Sequence, residues 1–399
     1  PTSLSRYEIR AATLEHHAEL CVLARHLNTV NLPDDPDAVR ALLETSERSF
    51  SGEITDPSRR EYVFVLWDRE SRRAVGSSMI IGQLGRRDAP YIYLEVRTEE
   101  KYSATLDKHF RHRVLTTRYS YDGPTEIGGL VMHPDARGST ERLGTVISYV
   151  RFLFIAMHRT SFRDQVLAEL LPPLEPDGTS HLWEAYGRRF TDLSYREADR
   201  LSRGNKEFIR SLFPENIYAT LLSNEAQRVI GEVGAETRGV EKMLRKIGFQ
   251  YAQRVDPFDG GPHFVCETDH VSLVSNAREV TVHHGARALE LQGASDAADG
   301  CNPAAAISAA VSGDDMTSDR PVARLSAHVG ARPPGNATPD GSVQGPGRLL
   351  LGCSYPAAPY FRAFALQASP TQTFFRLGED EFRRLDPQNA ASIWAVRAL

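Results

Sequence analysis

Cysteine is scarce and poorly spaced for chemistry. The 399 residues contain four (Cys21, Cys266, Cys301 and Cys353), with no C-x-x-C pair among them. That excludes a disulfide framework and a cysteine-based zinc cluster, and leaves buried free thiols as the expectation. Long apolar runs are missing as well. The opening PTSLSRYEIR holds no signal-type apolar core, and nowhere do about 20 apolar residues follow one another, so a cytoplasmic protein without a membrane span is expected. Nor does one sign of charge dominate. With 47 Lys and Arg against 52 Asp and Glu the net charge is −5, too little to draw in nucleic acid or an anionic membrane, so a charged ligand has to be bound locally. Aromatic residues vanish from Val265 to Ser354, and about 294–347 is rich in Ala, Gly, Ser, Pro and Asp. Such a composition cannot offset the entropy of ordering, which predicts a long flexible insertion.

Outside that stretch the chain alternates between strand-like and helix-like segments. Residues 7–12 read as a short strand, after which Thr13 can cap a helix. The β-rich runs 61–68 and 73–84 flank a polar turn and predict a hairpin, and 90–97 adds a strand. The informative junction is GGLVMHPDARG at 128–138. An apolar run breaks at Pro134, turns, and meets a helix predicted over 140–158, with Leu143, Val146, Ile147, Val150, Leu153, Phe154 and Met157 on one face. Segment 165–170 reads as a strand, while 181–190 and the stretch closing on Gly248 read as helices. Two strands, a short helix and a last strand are expected across 360–399. A strand feeding a helix through a tight turn offers unpaired N–H groups and the positive end of a helix dipole, which can seat a phosphate. On its own such a turn is more often plain structural punctuation.

The wider pattern is more specific. The strand, P-D-x-R-G turn and helix, followed about a hundred residues later by a helix closing on MLRKIGF and a strand, resemble the signature segments of the acyl-CoA N-acyltransferases of the GNAT superfamily. EIGGLVMHPDAR, SHLWEAYGRRFTDLSY, GNKEFIRSLFPENIYATLL, EAQRVIGEV and LRKIGFQYAQRVDPFDGGP, with FRAFALQ and WAVRAL later, are similar in order to the arginine N-succinyltransferase family. The resemblance implies succinyl transfer from succinyl-CoA to the α-amine of arginine, the opening step of an ammonia-yielding catabolic route. It implies an α+β fold, with a GNAT-like mixed sheet flanked by helices over 1–275. A small β-rich, barrel-like domain over 276–399, interrupted by the insertion, would follow. It implies no metal, and association with itself or with a family member.

Site residues follow from the same resemblance. Leu130 matches the position associated with succinyl-CoA, and Arg137, Gly138 and Gly144 remain of a phosphate-side turn stretched by two residues. Asp256 and Asp259 of DPFDGGP would meet a cationic guanidinium, or else hold a glycine turn as Asx caps. The family's proton-donor histidine falls on Gly234, and Leu244 stands where many GNAT enzymes carry tyrosine. Glu126 and Glu169 are therefore the candidate bases, with Tyr121 or His263 as candidate acids. The basic run DKHFRHR at 107–113 would face an anionic part of the donor, or else be a solvated helix face. Two further readings stay open: a catalytically weakened paralogue serving as regulatory or partner subunit, and an N-acyltransferase with changed donor and acceptor.

Overall fold

Fourteen strands join into one sheet in the computed structural model, which describes residues 4–26, 31–202, 204–284, 347–368 and 374–397. In chain order the strands are β1 (Leu4–Ala11), β2 (Glu61–Asp68), β3 (Arg73–Ile81), β4 (Tyr91–Ser103), β5 (Lys108–Ser120), β6 (Thr125–Met132), β7 (Gln165–Glu169) and β8 (Asn216–Tyr218). They continue with β9 (Gln250–Val255), β10 (Pro262–Glu267), β11 (Arg278–Glu279), β12 (Thr281–His284), β13 (Gly347–Ser354), β14 (Phe361–Ala368), β15 (Phe374–Leu377) and β16 (Ser392–Arg397). The sheet order is β11-β16-β13-β14-β1-β2-β3-β6-β7-β10-β9-β4-β5-β8, and β12 and β15 pair separately. Within the large sheet only β6 and β7 run parallel. A parallel pair needs a crossover, and α3 (Leu143–Met157) supplies it, after α1 (His17–Ala24) and α2 (Pro36–Phe50).

Helix α3 is apolar nearly all round because the sheet covers it from both ends. Its residues share one core with Ile9, Phe64 and Ile80 of the early strands and with Leu350, Phe361 and Val396 of the late ones. Phe154 sits at the meeting point, its ring 5.1–5.4 Å from those of Phe50, Tyr62, Phe64 and Phe361. Phe154→Ala is expected to cost about 3–5 kcal/mol, measured as a lower urea midpoint at constant m. The late strands alternate between two cores: Leu350 and Phe361 face α3, while Leu349, Leu351, Phe364 and Leu377 face a second cluster. The strands expected over 360–399 thus extend the main sheet, apart from β15, which pairs with β12. The insertion expected at 294–347 lies outside the described residues up to Gly347, where β13 begins.

Several elements differ from the sequence expectation. The helix after Thr13 opens with a 3-10 turn at Leu14–His16, and the stretch 181–190 contains a π-helical segment, Trp183–Gly187. The run 107–113 is the turn and first half of β5, not a helix face. Of the thiols, Cys266 and Cys353 are buried, Cys21 is only half-buried, and Cys301 lies outside the described residues. No helix among the described residues is long and apolar enough to cross a membrane.

Candidate active site

The sheet opens between β6 and β7. The two strands pair only at Thr125 with Val166 and Glu126 with Leu167, then separate. Two glycines on β6 shape the opening. Gly129 takes φ +56° where the register with β3 slips, and Ser77 donates to its carbonyl at 3.2 Å. A Cβ on Gly128 would lie 2.2 Å from Asn31 Nδ2, the group that donates to Glu126 Oε1 at 2.9 Å. Arg151 of α3 is buried and has no carboxylate partner among the described residues. Its guanidinium donates to Gly128 O at 3.2 Å and to Ser148 O and Oγ, and burial pushes its pKa down to about 9. An arginine thus satisfies a backbone carbonyl beside the gap.

Past Leu130, which is partly buried against the core, the chain leaves the sheet in a 3-10 turn, Pro134–Ala136. Arg137 Nε donates to Met132 O at 3.2 Å, Gly138 adopts φ +72° with open space around it, and Gly144 faces only Met132 Cγ at 3.8 Å. No side chain caps the N-terminus of α3, which follows this turn. The carboxylate of Glu141, in the stretched turn, is held by Ser5 at 2.7 Å and by Arg348 at 3.0 Å. A negative charge that would repel a phosphate is thereby neutralised.

An acidic cavity of about 430 Å³ lies on one face of the sheet. Register explains the acids there. Glu61 pairs with Ile81 and Ile81 with Glu126, so all three side chains project to the same side, and farther along Glu169 pairs with His263. Five carboxylates (Glu61, Glu126, Glu169, Asp199, Asp256) line the cavity, against two basic residues, Arg86 and Lys206. Crowding without water is costly. Burial raises the pKa of Glu126, with Asp256 adding to it and Asn31 and Lys206 opposing it. Asp256 is raised by burial against the backbone N–H groups of Phe258 and Asp259. Glu169 is raised well above the usual carboxylate range, by burial first and then by the charges of Glu126 and Asp256. Its side chain keeps 34% of its surface open, so water in the cavity moderates that shift.

Behind Glu169 stands a fully buried histidine. His263 Nδ1 lies 2.8 Å from Tyr91 Oη, and Nε2 lies 3.3 Å from Glu169 Oε1. Burial, aided by Arg254 and Lys206, pushes the imidazole down to about 3, so it is neutral at ordinary pH. Burial raises Tyr91, so it keeps its proton. Position 234 sits against the exit of β7, where Gly234 N–H donates to Leu171 O at 2.9 Å. A Cβ there would meet Pro172 O at 2.8 Å and Leu171 O at 3.0 Å, both backbone atoms. Restoring a histidine is therefore expected to harm the protein. Gly234→His should lose about 1–3 kcal/mol of stability by overpacking and gain no turnover, checked by thermal melting and by assay.

The other anticipated residues scatter. Asp256 lines the cavity but also accepts the N–H groups of Phe258 and Asp259. Asp259 is buried, accepts Gly261 N–H at 2.7 Å and Tyr195 Oη–H at 3.2 Å, and holds the turn. Gly261 is needed there because a Cβ would lie 2.4 Å from Leu170 O. Tyr121 is exposed and bonded to Arg210, away from the cavity wall. Leu244 is a core residue. Residues 107–113 form a projecting hairpin with exposed Leu106 and Phe110. Tyr91, Asn31, Glu61 and Lys206 were not anticipated. Lys206 lay within GNKEF, where a lone lysine carries no pattern.

A sheet parted at its one parallel pair, an uncapped helix N-terminus beside the gap and an acidic cavity on the sheet face define an N-acyltransferase of the GNAT-like class. Residues 7–273 match the family model described as arginine N-succinyltransferase beta subunit. Arginine N-succinyltransferase of Escherichia coli (strain K12 / DH10B) is 35% identical over 257 residues, covering 64% of this chain and 74% of that one, and the Escherichia fergusonii enzyme matches equally. The solved arginine/ornithine succinyltransferase subunit AI of Pseudomonas aeruginosa superposes with TM-score 0.72 at 24% identity over 98% of this chain and 99% of that one, a likeness of fold. The chain belongs to the arginine N-succinyltransferase family.

Proposed function

We propose that this chain transfers the succinyl group of succinyl-CoA to the α-amine of arginine. Family membership supports the reaction. The observation that carries the acceptor is the surplus of carboxylates around one cavity, a seat favouring a cation with several donors. In this reading the thioester lies along β6, its carbonyl oxygen toward backbone N–H groups near Leu130. The diphosphate rests on Arg137, Gly138 and Gly144 at the start of α3. The guanidinium meets Asp256, whose turn Asp259 braces. Glu126 and Glu169 face the α-ammonium, and a carboxylate with a raised pKa is the better base for it.

The same reading keeps 1–275 as the acyltransferase domain and 276–399 as a β-rich domain, and places the protein in the cytoplasm, associated with itself or with a family member. A screen of acyl-CoAs against amines, reading released thiol, tests it. Turnover is expected with succinyl-CoA and arginine, and no binding of succinyl-CoA to the purified chain would defeat it. The closed space at Gly234 favours one other reading, a partner subunit with little catalysis of its own. Turnover by the isolated chain excludes that.

A further inference from the structure

The proposed reaction removes a proton from an ammonium group, and the residue that the family resemblance would assign to proton transfer is absent here. Gly234 carries no side chain, and the backbone of Leu171 and Pro172 closes the space around it. A few residues along the same strand exit, a different histidine borders the site. Leu170 N–H donates to Pro262 O at 3.1 Å, so β10 and the end of β7 are bound together where Glu169 faces His263. Building on the proposed function, we infer that His263, fixed by Tyr91, positions Glu169 as the general base for the acceptor amine, in place of the histidine missing at 234.

The direction of the hydrogen bonds carries the inference. The Arg254 guanidinium lies 4.6 Å above the Tyr93 ring and its charge acts on Tyr91, so the neighbour able to accept the phenol proton is His263 Nδ1, 2.8 Å away. A neutral imidazole that accepts at Nδ1 carries its proton on Nε2. The acceptor within reach of that proton is Glu169 Oε1, 3.3 Å away. Nε2 is fully buried and makes no hydrogen bond in this structure, with Glu169 Oε1 the acceptor within ion-pair distance. At 3.3 Å the contact is loose, as such bonds are before substrate closes the site. Two groups then have one direction left to donate: Tyr91 to His263, and His263 to Glu169. The chain ends on the one member whose side chain is open to the cavity.

His263 does not touch substrate; it is a positioning residue. Its N–H holds one carboxylate oxygen of Glu169, leaving the other free for the amine. Glu169 accepts a proton from the α-ammonium. The nitrogen lone pair then forms the C–N bond at the thioester carbonyl, the C–S bond breaks with its electron pair going to sulfur, and the nitrogen's surplus proton neutralises the thiolate. The charges around Glu169 are Glu126 from β6, Asp256 and Asp259 from the β9–β10 turn, Lys206 from the start of the helix Glu207–Leu212, and His263 from β10. Arg254 and Lys206 face His263. Among the described residues, His263 Nε2 is the basic nitrogen within ion-pair distance of a Glu169 carboxylate oxygen, at 3.3 Å.

The test is the pH profile of kcat/KM for arginine in wild type, His263→Phe and His263→Gln, with Tyr91→Phe as a variant outside the Glu169 contact. His263→Phe should lower kcat about 10- to 100-fold, a fraction of the full general-base effect, with the KM for succinyl-CoA unchanged. Loss of the N–H favours protonated Glu169, so the acidic limb moves to higher pH. His263→Gln, which retains an N–H, should restore most of kcat, and Tyr91→Phe should move the limb the same way by less. In protein labelled with 15N-histidine, the His263 ring should read as the neutral Nε2–H form from pH 5 to 8. An unmoved limb with unchanged kcat in His263→Phe, or an Nδ1–H ring, overturns the inference while leaving the proposed function standing. Absence of turnover by the wild-type chain overturns both. If His263→Phe does not fold, Tyr91→Phe decides by the same limb.

Discussion

Glu169→Gln is expected to lower kcat/KM for arginine by about 10²- to 10⁴-fold, the usual weight of a general base, while the KM for succinyl-CoA stays the same. The substitution is isosteric, so it keeps the shape of the cavity and removes only the ability to take a proton. Glu169 is the better candidate of the two glutamates because it is open to the cavity, whereas Glu126 is 5% exposed and already accepts from Asn31. Steady-state kinetics on both glutamine variants check this. A loss confined to Glu126→Gln would reverse the assignment.

Arginine binding is expected to release protons and to weaken on acidification. Burial raises Glu126, Glu169 and Asp256 above their ordinary values, so each holds its proton to higher pH than it would in water. A guanidinium favours the charged form and drives those protons off. Below the raised values, affinity should fall about tenfold per pH unit for each carboxylate that must ionise. Calorimetry in buffers of different ionisation enthalpy reads the release directly. Binding with no proton release would mean that the guanidinium lies elsewhere.

The same groups act on folding with opposite signs. For the three carboxylates the folded pKa exceeds the unfolded one, so the fold binds more protons and loses stability as pH rises through the folded values. For His263 the folded value of about 3 lies below the ordinary 6.5, so stability falls as pH drops from 6.5 towards 3. Arginine should therefore raise the melting temperature more at alkaline than at acid pH.

Local pattern made much of the scaffold legible. β2 is a continuous apolar run closed by Glu61 and Asp68 and so could be bounded to the residue, and the break at Pro134 marked where β6 hands over to α3. Where a segment leaves the core, the signal fails. Residues 107–113 are exposed on both faces because no layer of the fold covers this end of the β4–β5 hairpin, so no burial period of two could form. The site was half legible. Glu126 and Glu169 came from the family resemblance, and both line the cavity, but the meeting of Tyr91 with His263, 172 residues apart, is a product of strand order that no window of sequence contains. The role of Asn31 depends on a glycine 97 residues later for the same reason.

The seam between β1 and β14 sets a condition on how the molecule is made. Ile9 faces Ala363 across it, and the core around α3 is completed by Phe361 and Val396. During synthesis β1 and β2 therefore wait, one edge unpaired and one apolar face open, until more than three hundred further residues have emerged. Contacts so distant in sequence make folding slow and leave a long interval for aggregation. Nascent chains of this protein should depend on chaperones until β14 and β16 arrive, and truncations ahead of them should be insoluble however intact their cavity.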